Sequence, residues 1–150
     1  MPPPTSRKVI YDTNIYIRAL REGQQSEEYT LLLTSLPFTY LSSVVSAELN
    51  VGVQDSTGTR LVNQFVSQSE RVGRVVTPTH KSWNYAGWIL ARILKEEPAY
   101  KSKLPSLFND ALIVFCALQI GATVCTRNEE DFGLIRRYRR FDLEPVRGLA

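Results

Sequence analysis

The sequence predicts a three-layer α/β/α sandwich built on a central, mostly parallel sheet. Short β-branched runs alternate along the chain with longer segments whose apolar residues recur at helical spacing, and strands separated by helices need crossover connections that put helices on both faces of a sheet. With 150 residues, 43% of them apolar, the chain has the size and composition of one ordinary core. No internal repeat, low-complexity tract or linker interrupts it. A single domain is therefore expected over residues 1–150, with residues 1–7 as a flexible N-terminus.

Residues 8–11 (KVIY) are the first predicted strand, and 14–21 a short helix ended by the turn-prone EGQQS. A second helix runs through SEEYTLLLTSL and stops at Pro37, which cannot continue it. FTYLS (38–42) is β-rich, and SSVVSAELNVGV then opens with serines able to cap a helix that carries Glu48. Next, TGTRLVNQFVSQSE sets Leu61, Val62, Phe65 and Val66 on one helical face, RVVTP is a short strand stopped by Pro78, and KSWNYAGWILARILKE is a long amphipathic helix. EPAYKSKLPSLF (97–108), with two prolines, is expected to be a loop grading from ordered to mobile. It leads into a strongly apolar helix from Asn109, a Gly121 C-cap, a strand at 122–125 and the polar turn TRNEED.

Composition removes several function classes. Cys116 and Cys125 lie nine positions apart in apolar surroundings, a spacing that suits neither a zinc knuckle nor a redox pair, so buried free thiols are expected. His80 is the sole histidine, which excludes a histidine-rich metal site and places it as an N-terminal helix residue rather than a catalyst. No apolar run approaches the roughly 18 residues that span a bilayer, and MPPPTSRK lacks the apolar core of a secretory signal. The expectation is a cytoplasmic protein with no membrane partner. The net charge of +3 is mild, but RRYRR (136–140) sets four arginines around a tyrosine, a pattern that binds phosphates and bases or simply solvates a helix end.

Hydrolytic chemistry in such a chain falls to carboxylates. Asp12 follows the first strand, Glu48 sits in the helix after the second, Asp110 opens the apolar helix, and Asp131 follows the strand ATVC. Singly, each has a plain structural role open to it: helix cap, dipole partner, solvated surface or turn. Two features point further. Val9, Ile10 and Tyr11 precede Asp12 while Leu112, Ile113 and Val114 follow Asp110, and unpaired acids beside a core need cations. Ligands of parallel sheets also collect beyond the carboxyl ends of the strands, where Asp12 and TRNEED emerge. A cluster of three or four carboxylates suits Mg²⁺ or Mn²⁺, and through them a phosphate ester.

The blocks VIYDTNIYI, LSSVVSAELNVGV and LFNDALIVFCALQIGATVCTRNEEDFGLI occur in the order and spacing of the PIN-domain ribonucleases, and the chain resembles in particular the VapC-like toxins of toxin–antitoxin pairs from about residue 8 to 145. The resemblance implies an α/β/α fold, an endoribonuclease dependent on Mg²⁺ or Mn²⁺, a homodimer, and inhibition by a small cognate antitoxin protein. On matching positions, Asp12, Glu48 and Asp110 are similar to the three core acids of that family and Asp131 to the fourth, the fourth place remaining open between Asn128 and Asp131. Thr13, Asn14 and Thr126 are the polar helpers. Asp12 and Asp110 would hold the first metal, with Glu48 and Asp131 shaping its water shell or a second metal. Lys101, Lys103, Arg136, Arg137, Arg139 and Arg140 would hold the RNA backbone, a contact that gives affinity with little sequence information.

Two rivals have distinct signatures. An aspartate-nucleophile phosphohydrolase places its aspartate similarly, but its D-x-D motif meets Asn14 here. A PIN-like module could instead hold RNA or a protein without cutting. Trp83, Tyr85 and Trp88 form an aromatic cluster suited to helix packing or to an interface.

Overall fold

The structure is a computed structural model that describes residues 7–147. The expected flexible N-terminus thus lies outside the described residues except for Arg7, whose Nε donates to Thr123 Oγ1 at 3.2 Å and whose guanidinium pairs with Glu144.

Among the described residues, five strands form one sheet: β1 (Val9–Tyr11), β2 (Thr39–Ser42), β3 (Val75–Val76), β4 (Thr123–Thr126) and β5 (Leu143–Pro145). Their order is β3-β2-β1-β4-β5 and every pairing is parallel, as the alternation of strand and helix predicts. Seven α-helices connect them: α1 (Thr13–Glu22), α2 (Glu27–Ser35), α3 (Ser43–Gly52), α4 (Ser56–Arg71), α5 (His80–Glu96), α6 (Leu104–Ile120) and α7 (Glu129–Tyr138). The chain steps from β1 through β2 to β3 in one direction and then crosses back to β4 and β5 on the other side of β1. Right-handed crossovers then put α1–α4 on one face and α5–α7 on the other, in agreement with the contacts of α1 with α2 and α3 and of α6 with α5 and α7.

The order reverses between β1 and β4, which pair Val9 with Thr123, Ile10 with Val124 and Tyr11 with Cys125. A crevice opens at such a reversal, beyond the strands' carboxyl ends. Residues 12 and 126 border it.

Helix α6 is the centre of the core, buried at Leu107 and continuously from Asp110 to Ala117. Residues 97–108 differ from the expected loop: a 3-10 helix over Pro98–Lys103 runs directly into α6. Proline is tolerated in a first helical turn because the amide it lacks has no intrahelical partner there, so Pro98 and Pro105 start helices instead of breaking them. The joined stretch Pro98–Ile120 is 23 residues long and contains an 18-residue window with a mean hydropathy of 1.3, enough for a bilayer span by length and composition alone, and half of that window is buried within the fold. It is interrupted by Lys103, Asn109 and Asp110, so no continuous apolar run of that length occurs. Cys116 and Cys125 are free and buried, as expected, and burial pushes their thiols up to about 11 and about 12. His80 begins α5 behind its Thr79 cap.

Candidate active site

Asp12 ends the apolar run of β1 and starts α1, and the backbone shows why both roles fit. Its amide continues the ladder by donating to the Cys125 carbonyl at 2.9 Å, while its extended φ and ψ let Oδ1 turn back to accept from the Thr13 amide at 2.8 Å. Oδ2 accepts from Thr126 Oγ1 at 2.7 Å, inside the protein. The cap therefore faces the crevice. On the far side of it, Thr126 Oγ1 also accepts from the Asn128 amide at 2.9 Å, so the end of β4 is pinned to the end of β1.

The other acids approach from three helices. Glu48, half-buried on α3, accepts from Thr13 Oγ1 at 2.7 Å through Oε1 and from Asn109 Nδ2 at 3.4 Å through Oε2. Asp110 lies buried in α6, and its Oδ2 has no hydrogen-bond partner. Asp131 is buried in the first turn of α7, where Asn128 caps the helix: Asn128 Oδ1 accepts from the Asp131 amide at 3.3 Å and Nδ2 donates to Asp131 Oδ2 at 3.1 Å. Lys103 Nζ donates to Asp131 Oδ1 at 3.0 Å. Asn14 Oδ1 accepts from the Arg127 amide at 3.4 Å.

The four acids share an electrostatic field. Burial, and after it the charges of Asp12, Asp131 and Glu48, pushes Asp110 from its ordinary 3.8 up to about 8. Asp12 rises to about 6, again chiefly by burial, with the Thr126 and Thr13 hydrogen bonds opposing the rise. Even so, among the described residues no three acidic, histidine or cysteine side chains stand close enough together to form a ready-made metal cage. Glu48 is held by Thr13 and Asn109, and Asp131 by Lys103 and Asn128. The four acids thus lie near enough to add to the burial-driven rise in pKa of Asp12 and Asp110 without forming a closed cage. Their chemistry fits a hard divalent cation: all donors are oxygens, and the buried, partnerless Asp110 Oδ2 needs either a proton or a cation.

The basic residues divide. Lys103 pairs with Asp131, and Lys101 is exposed near it on the same 3-10 helix. Arg136 and Arg137 are exposed in the last turn of α7, about 8–9 Å along its axis from Asp131 at 1.5 Å per residue, and Arg139 and Arg140 are exposed just past its end. Arg137 there pairs with Glu97 at 3.1 Å, and Arg136 Nε donates to the Phe141 carbonyl at 3.1 Å. Sequence reasoning did not single out Asn109, Arg127 or Glu28. The first two lie inside the motif blocks, beside acids that drew attention instead. Glu28 carries no local signal, yet it is buried at 2% exposure and accepts from Arg127 NH1 at 2.6 Å.

A family model described as the PIN domain matches residues 9–138. No curated protein sequence matches the chain. Among solved structures, a DNA-bound VapBC from Salmonella typhimurium is similar with a TM-score of 0.66 and 21% identity over 93% of this chain and 98% of that one. VapBC2 from Rickettsia felis bound to a DNA fragment from their promoter gives 0.61 and 22% over 93% and 98%, and FitAcB from Neisseria gonorrhoeae 0.61 and 21% over 90% and 95%. At these identities the likeness is one of fold.

Proposed function

Because the chain belongs to the PIN-domain family, we propose that it is a Mg²⁺- or Mn²⁺-dependent endoribonuclease, a single catalytic domain serving as the toxin of a toxin–antitoxin pair in the cytoplasm. The observation that carries this is the gathering of Asp12, Glu48, Asp110 and Asp131 at the reversal of strand order, with one buried carboxylate oxygen left without a partner. Asp12 and Asp110 would hold the cation, Glu48 and Asp131 flanking it. Asp131 takes the fourth place, since the Asn128 side chain is engaged as the cap of α7 and as a donor to Asp131.

When bound, the cation supplies positive charge that polarises the phosphodiester and an attacking water. The chain's own groups do the rest. Thr126 and the Thr13 amide fix both oxygens of Asp12, and Thr13 Oγ1 and Asn109 fix both oxygens of Glu48, so the acids need little reorganisation. The water oxygen bonds to phosphorus as the opposite P–O bond breaks, its proton passing to a carboxylate of the cluster or to solvent while the leaving oxygen gains one. Lys101 and Lys103 lie where they can hold the RNA backbone beside the cluster.

Purified protein is expected to cut total cellular RNA into discrete fragments with Mg²⁺ or Mn²⁺ and to leave it intact with EDTA or in the Asp12→Asn variant. RNA that is bound and never shortened would replace this function with that of a binding module.

The likeness in fold to VapBC assemblies supports an antitoxin partner. An apolar groove of about 330 Å³ between α1, α2 and α4 is lined by Tyr16, Leu20, Leu33, Leu36, Leu61 and Phe65, and Leu33, Leu36 and Leu61 are 58%, 47% and 40% exposed. Exposed apolar grooves of this kind take amphipathic helices. Leu61→Glu is expected to abolish co-purification with the small protein encoded beside this chain and to leave RNA cleavage intact; undiminished co-purification would move the partner elsewhere. For the homodimer, Trp83 and Trp88, at 50% and 61% exposure on α5, offer a separate surface.

A further inference from the structure

Three of the four acids, Asp12, Glu48 and Asp131, have donors on both carboxylate oxygens, and those donors are of two kinds. Asp12 and Glu48 meet hydroxyls, an amide and a carboxamide. A carboxylate oxygen has more than one lone pair, so neutral donors of this sort can remain while the same carboxylate binds a cation. Asp131 meets an ammonium, with Lys103 Nζ 3.0 Å from Oδ1 and Asn128 Nδ2 occupying Oδ2. A full positive charge at that distance repels any metal ion that approaches the same carboxylate.

Lys103 is also well placed to stay there. It ends the 3-10 helix that runs into α6, so both flanking segments are regular, and its ammonium lies 5.8 Å from the centroid of the Tyr100 ring. A lysine side chain is an ammonium throughout the neutral range. The Lys103 side chain is still 47% exposed, while that of Asp131 is 3% exposed. One N–H of the ammonium is used on Asp131, and the open side can present the remaining donors to an incoming phosphate.

We propose that Lys103 stands in place of a second metal ion, leaving a site for one divalent cation at Asp12 and Asp110 and supplying the other positive charge to the phosphodiester itself. This rests on the metal-dependent nuclease function above. Two-metal sites neutralise both the attacked and the departing side of the phosphorus, and here the second of those charges is a residue of the chain.

The test is a Mn²⁺ titration of the metal-free protein, followed by electron paramagnetic resonance and calorimetry, on wild type, Lys103→Met and Lys103→Arg. Methionine keeps an unbranched apolar stem, and a thermal melt checks that each variant is folded. Wild type and Lys103→Arg are expected to bind one ion per chain, and Lys103→Met two. With Mg²⁺ at a concentration that saturates the wild type, kcat of Lys103→Met should fall by at least about tenfold and recover in part as Mn²⁺ is raised. Two ions in the wild type, or one ion at unchanged affinity in Lys103→Met, would overturn the proposal and leave the nuclease function standing. No ion in the wild type would overturn both, and that outcome is visible in the wild type alone.

Discussion

Asp110→Asn is expected to abolish RNA cleavage and, in the metal-free protein at pH 8, to raise the melting temperature. The two effects have one origin. Asp110 is buried among three other acids with Oδ2 unpartnered, a position that costs the fold free energy whenever the carboxyl is ionised and no cation is present. An asparagine keeps the shape, removes the charge and brings an N–H₂ that can donate to the neighbouring carboxylates. On the proposed function it also removes a metal ligand, so the loss of activity should be complete within assay, on the order of 10³-fold or more. A melting temperature that falls, or cleavage that persists at the wild-type rate, would show that Asp110 holds neither position.

The pH dependence has a definite sign. The folded protein keeps a proton on Asp110 up to about pH 8, whereas the unfolded chain loses it near 3.8. Between those values the native state binds more protons than the unfolded state, so the stability contributed by this group is fully present below the lower value and is lost as pH rises through the upper one. Asp12 adds the same trend between 3.8 and about 6. Wild type in EDTA should therefore lose stability steadily from about pH 4 to pH 8, by a few kcal/mol in total, and Asp110→Asn should show a much flatter profile. A divalent cation held as proposed, by the native state alone, should restore about 2.7 kcal/mol at a concentration one hundred times its Kd. A wild-type profile that rises toward pH 8 without metal would contradict the burial of these acids.

How much of this was legible depends on how local each signal is. Asp12 could be read because an acid directly after a buried strand sits at a sheet's carboxyl edge whatever follows, and Asp110 because an acid inside an apolar helix has few other reasons to be there. Glu48 and Asp131 have weaker local marks, a helix after the second strand and the turn after ATVC, which a solvated face or an ordinary turn would share; the resemblance of whole blocks is what weights them. Lys103 was assigned to RNA alone because two prolines made its segment read as a loop, when those prolines begin helical turns. RRYRR drew attention as a charge run, but α7 must travel back across the sheet before the parallel strand β5 can start. Its C-terminal arginines therefore lie away from Asp131, a consequence of topology that composition does not carry.

Glu28 had no local signal at all, and its replacement should be among the most destabilising in the chain. Its partner Arg127 is 99 positions away, and Arg18 Nε lies 3.4 Å from the same oxygen as a charge contact without a hydrogen bond. Removing this carboxylate leaves the Arg127 guanidinium without its partner, while Arg18 keeps its ion pair with Glu22 at 3.0 Å. Both arginines retain some exposure, 25% for Arg127 and 38% for Arg18, so the cost should fall somewhat below that of a fully buried pair, at about 2–4 kcal/mol, or roughly 5–12 °C in Tm for a chain of this size. Because Arg127 follows Thr126 and precedes the Asn128 cap, freeing it also loosens the turn that aims the hydroxyl at Asp12. Glu28→Ala should thus weaken Mn²⁺ binding as well as stability, although Glu28 touches none of the acids through a hydrogen bond or ion pair. A double variant, Glu28→Ala with Arg127→Met, should be less destabilised than the sum of the two single changes, since the second removes a charge that the first has left unpaired. Strict additivity, or an unchanged melting temperature in Glu28→Ala, would mean that the pair neither stabilises the fold nor braces the metal-facing turn.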